Sequence, residues 1–192
     1  MPAPSLASAR RALQAYRPAE VALEPGMIPA AVAIALRDGN EGIEALFIHR
    51  AEREGDTWSG QIAFPGGRKE PGDPDLLATA IRETREEIGL DLSIAERLGV
   101  LDDMHPRTPV LPPVVVRPFV FGLVERPRLT LGDEVQDAFW VAFVALDAPG
   151  VRREVTIQHR GLTRTFPAYV VGNRTIWGMT ERILTSLLRL VF

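Results

Sequence analysis

The pattern of apolar positions changes period at defined places along the chain, and those places predict its elements. Residues 28–36 are a continuous apolar run, as a strand covered on both faces requires. Gly39 and Asn40 turn the chain, and residues 43–49 predict a second strand. Residues 50–60 (RAEREGDTWSG) are polar and punctuated by glycine, so a loop is expected before residues 61–64 lead into the pair Gly66-Gly67, which reads as a turn. Helical spacing is present in residues 7–16, after Pro74, and in residues 174–190. Further strands are expected at residues 98–102, 114–124 and 138–142, with a turn at residues 132–136. Residues 104–113 carry four prolines and predict a long connection. Residues 154–159 and 163–170 flank Arg160-Gly161, a hairpin signal. The expected fold class is α+β, a mixed β-sheet sandwiched by helices. Residues 1–192 are expected to form a single domain, with residues 1–26 its N-terminal helix and linker.

Composition narrows the classes of function. A chain of 192 residues with 46% hydrophobic content can build one sizeable core and not two. The net charge of -3 offers no general attraction to nucleic acid or to an anionic membrane, so an anionic small molecule has to be held by local basic groups. Cysteine is absent, which excludes disulfides, thiol catalysis and cysteine metal sites. The most apolar segment, residues 110–124, is interrupted by Pro112, Pro113, Arg117 and Pro118, so no membrane span is expected. Arg10, Arg11 and Arg17 superficially suggest an organellar leader, but a first surface helix and a cytoplasmic location are the expectation. The oligomeric state is left open by the sequence.

The chemistry is concentrated in residues 64–90, FPGGRKEPGDPDLLATAIRETREEIGL. Asp73-Pro74 predicts a helix start, with Asp73 as the cap and a run to about Gly89. At about 100° per residue, Leu77, Ala80, Ile81, Thr84 and Ile88 share the face that should bury. Glu83 and Glu87 lie on its flank, while Glu86 points further toward solvent, one turn after Arg82. Two carboxylates at the border of a core repel each other unless a cation sits between them. A solvated acidic face is the ordinary explanation of such a helix. Two features favour a bound cation instead: the acidic flank adjoins the apolar stripe, and the glycine pair can bring backbone close to the same place. All-oxygen ligation suits Mg²⁺, with Mn²⁺ able to substitute.

These residues resemble the signature of Nudix hydrolases, which runs G, five residues, E, seven residues, then R-E-U-x-E-E-x-G-U with U aliphatic. Arg82, Glu83, Glu86, Glu87, Gly89 and Leu90 fall on its second half at the family spacing. The first half departs: counted from Gly67 the acidic position is Asp73, one extra residue precedes Arg82, and Thr84 replaces the usual aliphatic. The resemblance implies a Nudix-like α/β/α sandwich and a metal-dependent hydrolase. Glu83, Glu86 and Glu87 would serve as ligands and base, a backbone carbonyl of Gly66 would reach the metal, and Arg82 would orient a glutamate.

A narrower resemblance points to the coenzyme A pyrophosphatase branch of that family. Leu46, Arg50, Ala51, Gly60 and Phe64 to Gly67 match the stretch upstream of its signature, while Asp56 stands at the spacing of the branch's inner arginine and Arg53 is the nearest substitute. Ile176-Trp177-Gly178-Met179-Thr180, opening a helix, also looks like that branch. The implied substrate is coenzyme A, cleaved to 3′,5′-ADP and 4′-phosphopantetheine. Another nucleoside diphosphate derivative, such as ADP-ribose or a dinucleoside polyphosphate, is the alternative enzyme reading, and a Nudix-fold binding module the non-enzyme one. Arg50, Arg53, Arg68, Lys69 and Arg107 lie in or beside the loops expected to border the site and are candidate phosphate clamps. Glu134 reads equally as a turn acid and as a fourth carboxylate reaching the metal. His49, His105 and His159 have no ligand-spaced neighbour and are read as structural or solvent-facing.

Overall fold

A computed structural model describes residues 4–53, 58–106, 112–159 and 162–192. Arg107, Asp56 and the Arg160-Gly161 turn therefore lie outside the described residues. The chain opens with helix α1 (Leu6–Ala15) and enters strands β1 (Ile28–Gly39) and β2 (Gly42–Arg50). Short strands β3 (Ile62–Ala63) and β4 (Gly66–Arg68) precede helix α2 (Leu76–Ile88). Then come β5 (Glu96–Val100), β6 (Val114–Gly122), β7 (Val135–Ala142) and the short α3 (Phe143–Leu146). Strands β8 (Arg152–His159), β9 (Leu162–Val171) and β10 (Arg174–Trp177) lead into α4 (Gly178–Val191).

The central sheet has the order β3-β2-β1-β6-β5, with β4 also paired to β1 and β7 to β2. Strands β1 and β6 are parallel, in register from Ile28 opposite Val114 to Leu36 opposite Gly122, and the other pairs are antiparallel. The sheet is mixed, as expected. A second sheet, β10-β9-β8, carries the hairpin at the C-terminal end.

Strand β1 shows why two faces are covered. Its side chains alternate between faces, so Ala31, Ala33 and Ala35 join Ala80 and Ile88 of α2 in one apolar cluster. Ala30, Ile34 and Leu36 join Leu13 of α1 and Ile183, Leu184 and Leu187 of α4 in the other. Three small residues on the first face let α2 settle close to the sheet. This is the helix-sheet-helix layering that the resemblance implied. Among the described residues no helix is long and apolar enough to cross a membrane.

Three local expectations are corrected. The cap of α2 is Asp75, whose side chain accepts from the Ala78 amide at 2.8 Å, so the helix begins at Leu76. Asp73 is instead buried under the loop, accepting from the Glu70 amide and the Thr79 hydroxyl, each at 2.9 Å. Second, the glycine pair is not a free turn: Gly66 and Gly67 stand opposite Val32 and Ala31 as a strand. Gly66 adopts φ 151, and a β-carbon there would meet the Ala31 carbonyl oxygen at 2.2 Å, so only glycine fits. Third, Arg174–Trp177 is a strand, and the last helix starts only at Gly178.

Candidate functional site

Between α2, β4 and α4 runs a cleft of about 400 Å³. One end is charged, lined by Glu70, Glu83, Glu87 and Glu134 with Arg50 and Arg68. The other is apolar, lined by Trp58, Phe64, Val114, Val116, Met179 and Ile183. The register of β4 on β1 is what sets the charged end. It fixes the glycine pair beside the last two turns of α2, at Glu83 and Glu87.

Glu87 is 4% exposed. Its Oε2 accepts the Gly66 amide at 2.9 Å and its Oε1 lies 3.4 Å from Nη1 of Arg50. Burial pushes its carboxyl up to about 8, against the opposing pull of the Gly66 amide and the Arg50 charge, with the carboxylates of Glu83 and Glu134 adding to the rise. Glu83 is half-buried, and burial raises its carboxyl too, partly offset by Arg82 at 3.0 Å. A β-carbon on Gly67 would come within 2.4 Å of Glu83 Oε1, so the space that this carboxylate occupies exists because residue 67 is glycine.

Arg82 ties the charged end together. Its Nε and Nη2 donate to the two carboxylate oxygens of Asp73, each at 3.0 Å, and Nη2 also donates to the Arg68 carbonyl at 3.1 Å. Glu83 and Glu86 approach the same guanidinium at 3.0 Å. The Arg82 hydrogen bonds hold the Asp73 carboxyl far below the usual carboxylate range. Glu86 is exposed and does not line the cleft.

The basic candidates separate. Arg50 and Arg68 line the cleft. Arg53 is paired with Glu134 at 2.7 Å, and the Lys69 ammonium donates to the Asp73 carbonyl, so neither is among the cleft's lining residues. Glu134 is held from behind by the Ala51 amide, which donates to its carbonyl at 2.9 Å, and its half-exposed side chain reaches the cleft. His49 meets the Gly60 carbonyl at 3.2 Å and His105 the Val114 carbonyl at 2.9 Å.

The charged end fits a hard cation in its donors. Two glutamates, Glu83 and Glu87, meet at a backbone stripped of side chains, and all donors are oxygen. Among the described residues no three histidine, aspartate or glutamate side chains gather closely enough to hold an ion as they stand. The reason is visible: Glu83 and Glu86 are turned onto Arg82, which supplies their positive charge. Sequence reasoning missed Asp73 as the partner of Arg82, since a residue before proline at a helix start looks like a cap. It also missed Trp58, Phe64 and Ile183 as cleft walls, although Met179 lies in the segment 176–180 singled out above.

The profile of the NUDIX domain matches residues 27–166 of this chain. The chain belongs to the Nudix family. Proteins of this family typically use a divalent metal and bind nucleoside diphosphate substrates. The chain is 30% identical over 162 residues to the mitochondrial coenzyme A diphosphatase NUDT8 of Mus musculus, a match covering 78% of this chain and 72% of that protein. It is 33% identical over 154 residues to an uncharacterized protein of Schizosaccharomyces pombe, covering 77% of this chain and 46% of that one, so it spans less than half of that relative's length. The uncharacterized Nudix hydrolase NudL of Yersinia pestis is 30% identical over 131 residues, covering 67% of this chain and 63% of that protein. Among solved structures, a MutT/nudix family protein from Enterococcus faecalis superposes with a TM-score of 0.58 at 22% identity, over 97% of this chain and 70% of that one, a likeness of fold.

Proposed function

We propose that this Nudix hydrolase cleaves the diphosphate of coenzyme A to 3′,5′-ADP and 4′-phosphopantetheine, with Mg²⁺ as its ion and Mn²⁺ able to replace it. The observation that carries the reading is the meeting of Glu83 and Glu87 with the glycine strand, in one cleft with Arg50 and Arg68. The likeness to a coenzyme A diphosphatase over 78% of the chain supports the choice of substrate.

Each residue has a role in this reading. Glu83, Glu87 and, by rotation away from Arg82, Glu86 would hold the ion, with the backbone of Gly66 beside them. A divalent cation bound there supplies neutralising charge to the diphosphate as it is attacked. Arg82, anchored on Asp73, positions Glu83. Arg50 and Arg68 supply guanidinium donors to phosphate oxygens, for which their planar fork is suited. Glu134, at the cleft's edge, is the candidate base for the attacking water's proton. The apolar walls from Trp58 to Ile183 exclude water from one side of the cleft.

The test is a Mg²⁺ titration of hydrolysis with coenzyme A, dephospho-coenzyme A, ADP-ribose and a dinucleoside polyphosphate, products separated by chromatography. Preference for coenzyme A over its dephospho form by about tenfold or more supports the reading, since a charge-assisted contact to the 3′-phosphate is worth that much. Equal hydrolysis of ADP-ribose would reject coenzyme A as the substrate and leave the hydrolase.

A further inference from the structure

A second cavity, of about 630 Å³, lies between α4, the Leu101–His105 stretch after β5, the N-terminal arm at Val21 and the second sheet at Arg152 and Pro167. Ile183 lines both this cavity and the charged cleft, so the two are back to back across one side chain. Nothing in the proposed hydrolysis uses it.

Its acids are already occupied. Glu181, 2% exposed, holds Arg152 at 3.0 Å and accepts the Thr185 hydroxyl at 2.9 Å. Asp103 is gripped by Arg117 through two hydrogen bonds of 2.8 Å. Asp102 accepts the Tyr16 hydroxyl and the Ala19 amide, both at 2.7 Å, fastening the N-terminal arm over the cavity. Arg182 and Arg189 stand apart from these pairs. They are exposed, line the cavity, and have no ion pair or hydrogen-bonded side-chain partner among the described residues. Seven residues apart on α4, they share a face about 10 Å apart along the axis, with Ser186 between them, its hydroxyl donating to the Arg182 carbonyl. A small side chain at that midpoint leaves room for both guanidinium groups to turn toward one ligand. His105 also lines the cavity; its Nδ1 is engaged by the Val114 carbonyl, leaving Nε2 as its other hydrogen-bonding atom. The lining charges balance in number, Asp102, Asp103 and Glu181 against Arg152, Arg182 and Arg189, but each acid is already engaged, Asp102 by Tyr16 and Ala19, Asp103 by Arg117 and Glu181 by Arg152, which leaves Arg182 and Arg189 as the lining cations without an ion-pair partner among the described residues.

We propose that this cavity is an oxyanion site in which Arg182 and Arg189 hold a phosphate group, either free phosphate or a phosphate monoester. Two guanidinium forks provide the bidentate donors that a dianionic phosphate takes best, and the site is independent of the substrate assigned to the cleft. Phosphate binding is measured by calorimetry with EDTA present, against chloride at equal ionic strength, on wild type, Arg182→Ala/Arg189→Ala and Arg68→Ala proteins. The site predicts binding that weakens by about tenfold or more in the double variant and persists in Arg68→Ala. Both arginines are exposed, so the double variant should keep its melting temperature, which is checked in parallel. Glycerol 1-phosphate in the same titration distinguishes the sources: displacement of phosphate by it in wild type assigns monoesters, and failure to displace assigns free phosphate, each requiring the same two arginines. Absence of binding to wild type, equal binding to the double variant, or loss in Arg68→Ala alone would overturn the proposal.

Discussion

A β-carbon on Gly67 would stand 2.4 Å from Oε1 of Glu83, inside the volume the carboxylate itself fills. On the neighbouring Gly66, at φ 151, a β-carbon would meet backbone instead, 2.2 Å from the Ala31 carbonyl oxygen. The two glycines should therefore fail in different ways when replaced. Gly67→Ala is expected to keep its melting temperature, because Glu83 can swing aside, and to lose about a hundredfold in kcat as the carboxylate is displaced. Gly66→Ala should lower the melting temperature, since backbone cannot yield. Thermal melts beside steady-state kinetics of the two variants check both.

Asp73 and Arg82 predict a stability effect with a kinetic signature. Asp73→Ala removes both carboxylate acceptors from a partly buried guanidinium, at a cost on the order of 2 kcal/mol. Arg82, no longer anchored, is then free to shift and take Glu83 with it, so kcat should fall while KM changes little. Asp73→Glu, restoring the acid, should recover part of the loss.

The sign of the pH dependence is opposite for Glu87 and Asp73. Glu87 titrates near 8 in the metal-free fold and near the ordinary value of 4.5 in the unfolded chain. Between those values the folded protein keeps a proton that the unfolded chain has released, so metal-free stability should rise as pH falls from about 8 to about 5. Asp73, held far below its ordinary value of 3.8, works the other way: its contribution is present above that range and is lost as pH falls below it. Melting temperatures in EDTA from pH 9 to pH 3 should therefore pass through a maximum, and Glu87→Gln should flatten the alkaline side. A wild-type profile that is flat from pH 5 to pH 8 would contradict the environment described for Glu87.

Glu134 predicts a split between turnover and binding. Glu134→Gln keeps an oxygen for Arg53 and removes the base, so kcat should fall with KM nearly unchanged. Unchanged kcat would leave Glu134 as the anchor of Arg53 only.

Much of this was legible in the sequence because it rests on local pattern. The apolar run of β1 and the acidic flank of α2 follow from residue spacing, and the structure places them as the spacing predicts. What was not legible depends on contacts between distant segments. Two glycines in sequence look like a turn, and only their pairing with Ala31 and Val32 makes them a strand. Asp73 and Asp75 flank Pro74 and either can cap a helix; Arg82, a turn and more downstream, claims Asp73 and leaves Asp75 to cap. The loop with the extra residue folds over that buried acid. Lys69 and Arg53 are placed beside the site by the sequence; what it does not show is that the Lys69 ammonium is held by the Asp73 carbonyl and that Arg53 pairs with Glu134 at the cleft's edge.

The proposed function requires that Glu83 and Glu87 together hold the divalent ion on which hydrolysis depends. The most direct measurement is a Mg²⁺ titration of coenzyme A hydrolysis by wild type, Glu83→Gln and Glu87→Gln, with Mn²⁺ binding followed by calorimetry on the same proteins. Wild type should be inactive without metal, and both variants should fold, bind Mn²⁺ at least about tenfold more weakly, and lose at least about a hundredfold in turnover. Near wild-type turnover and metal affinity in both folded variants would contradict it.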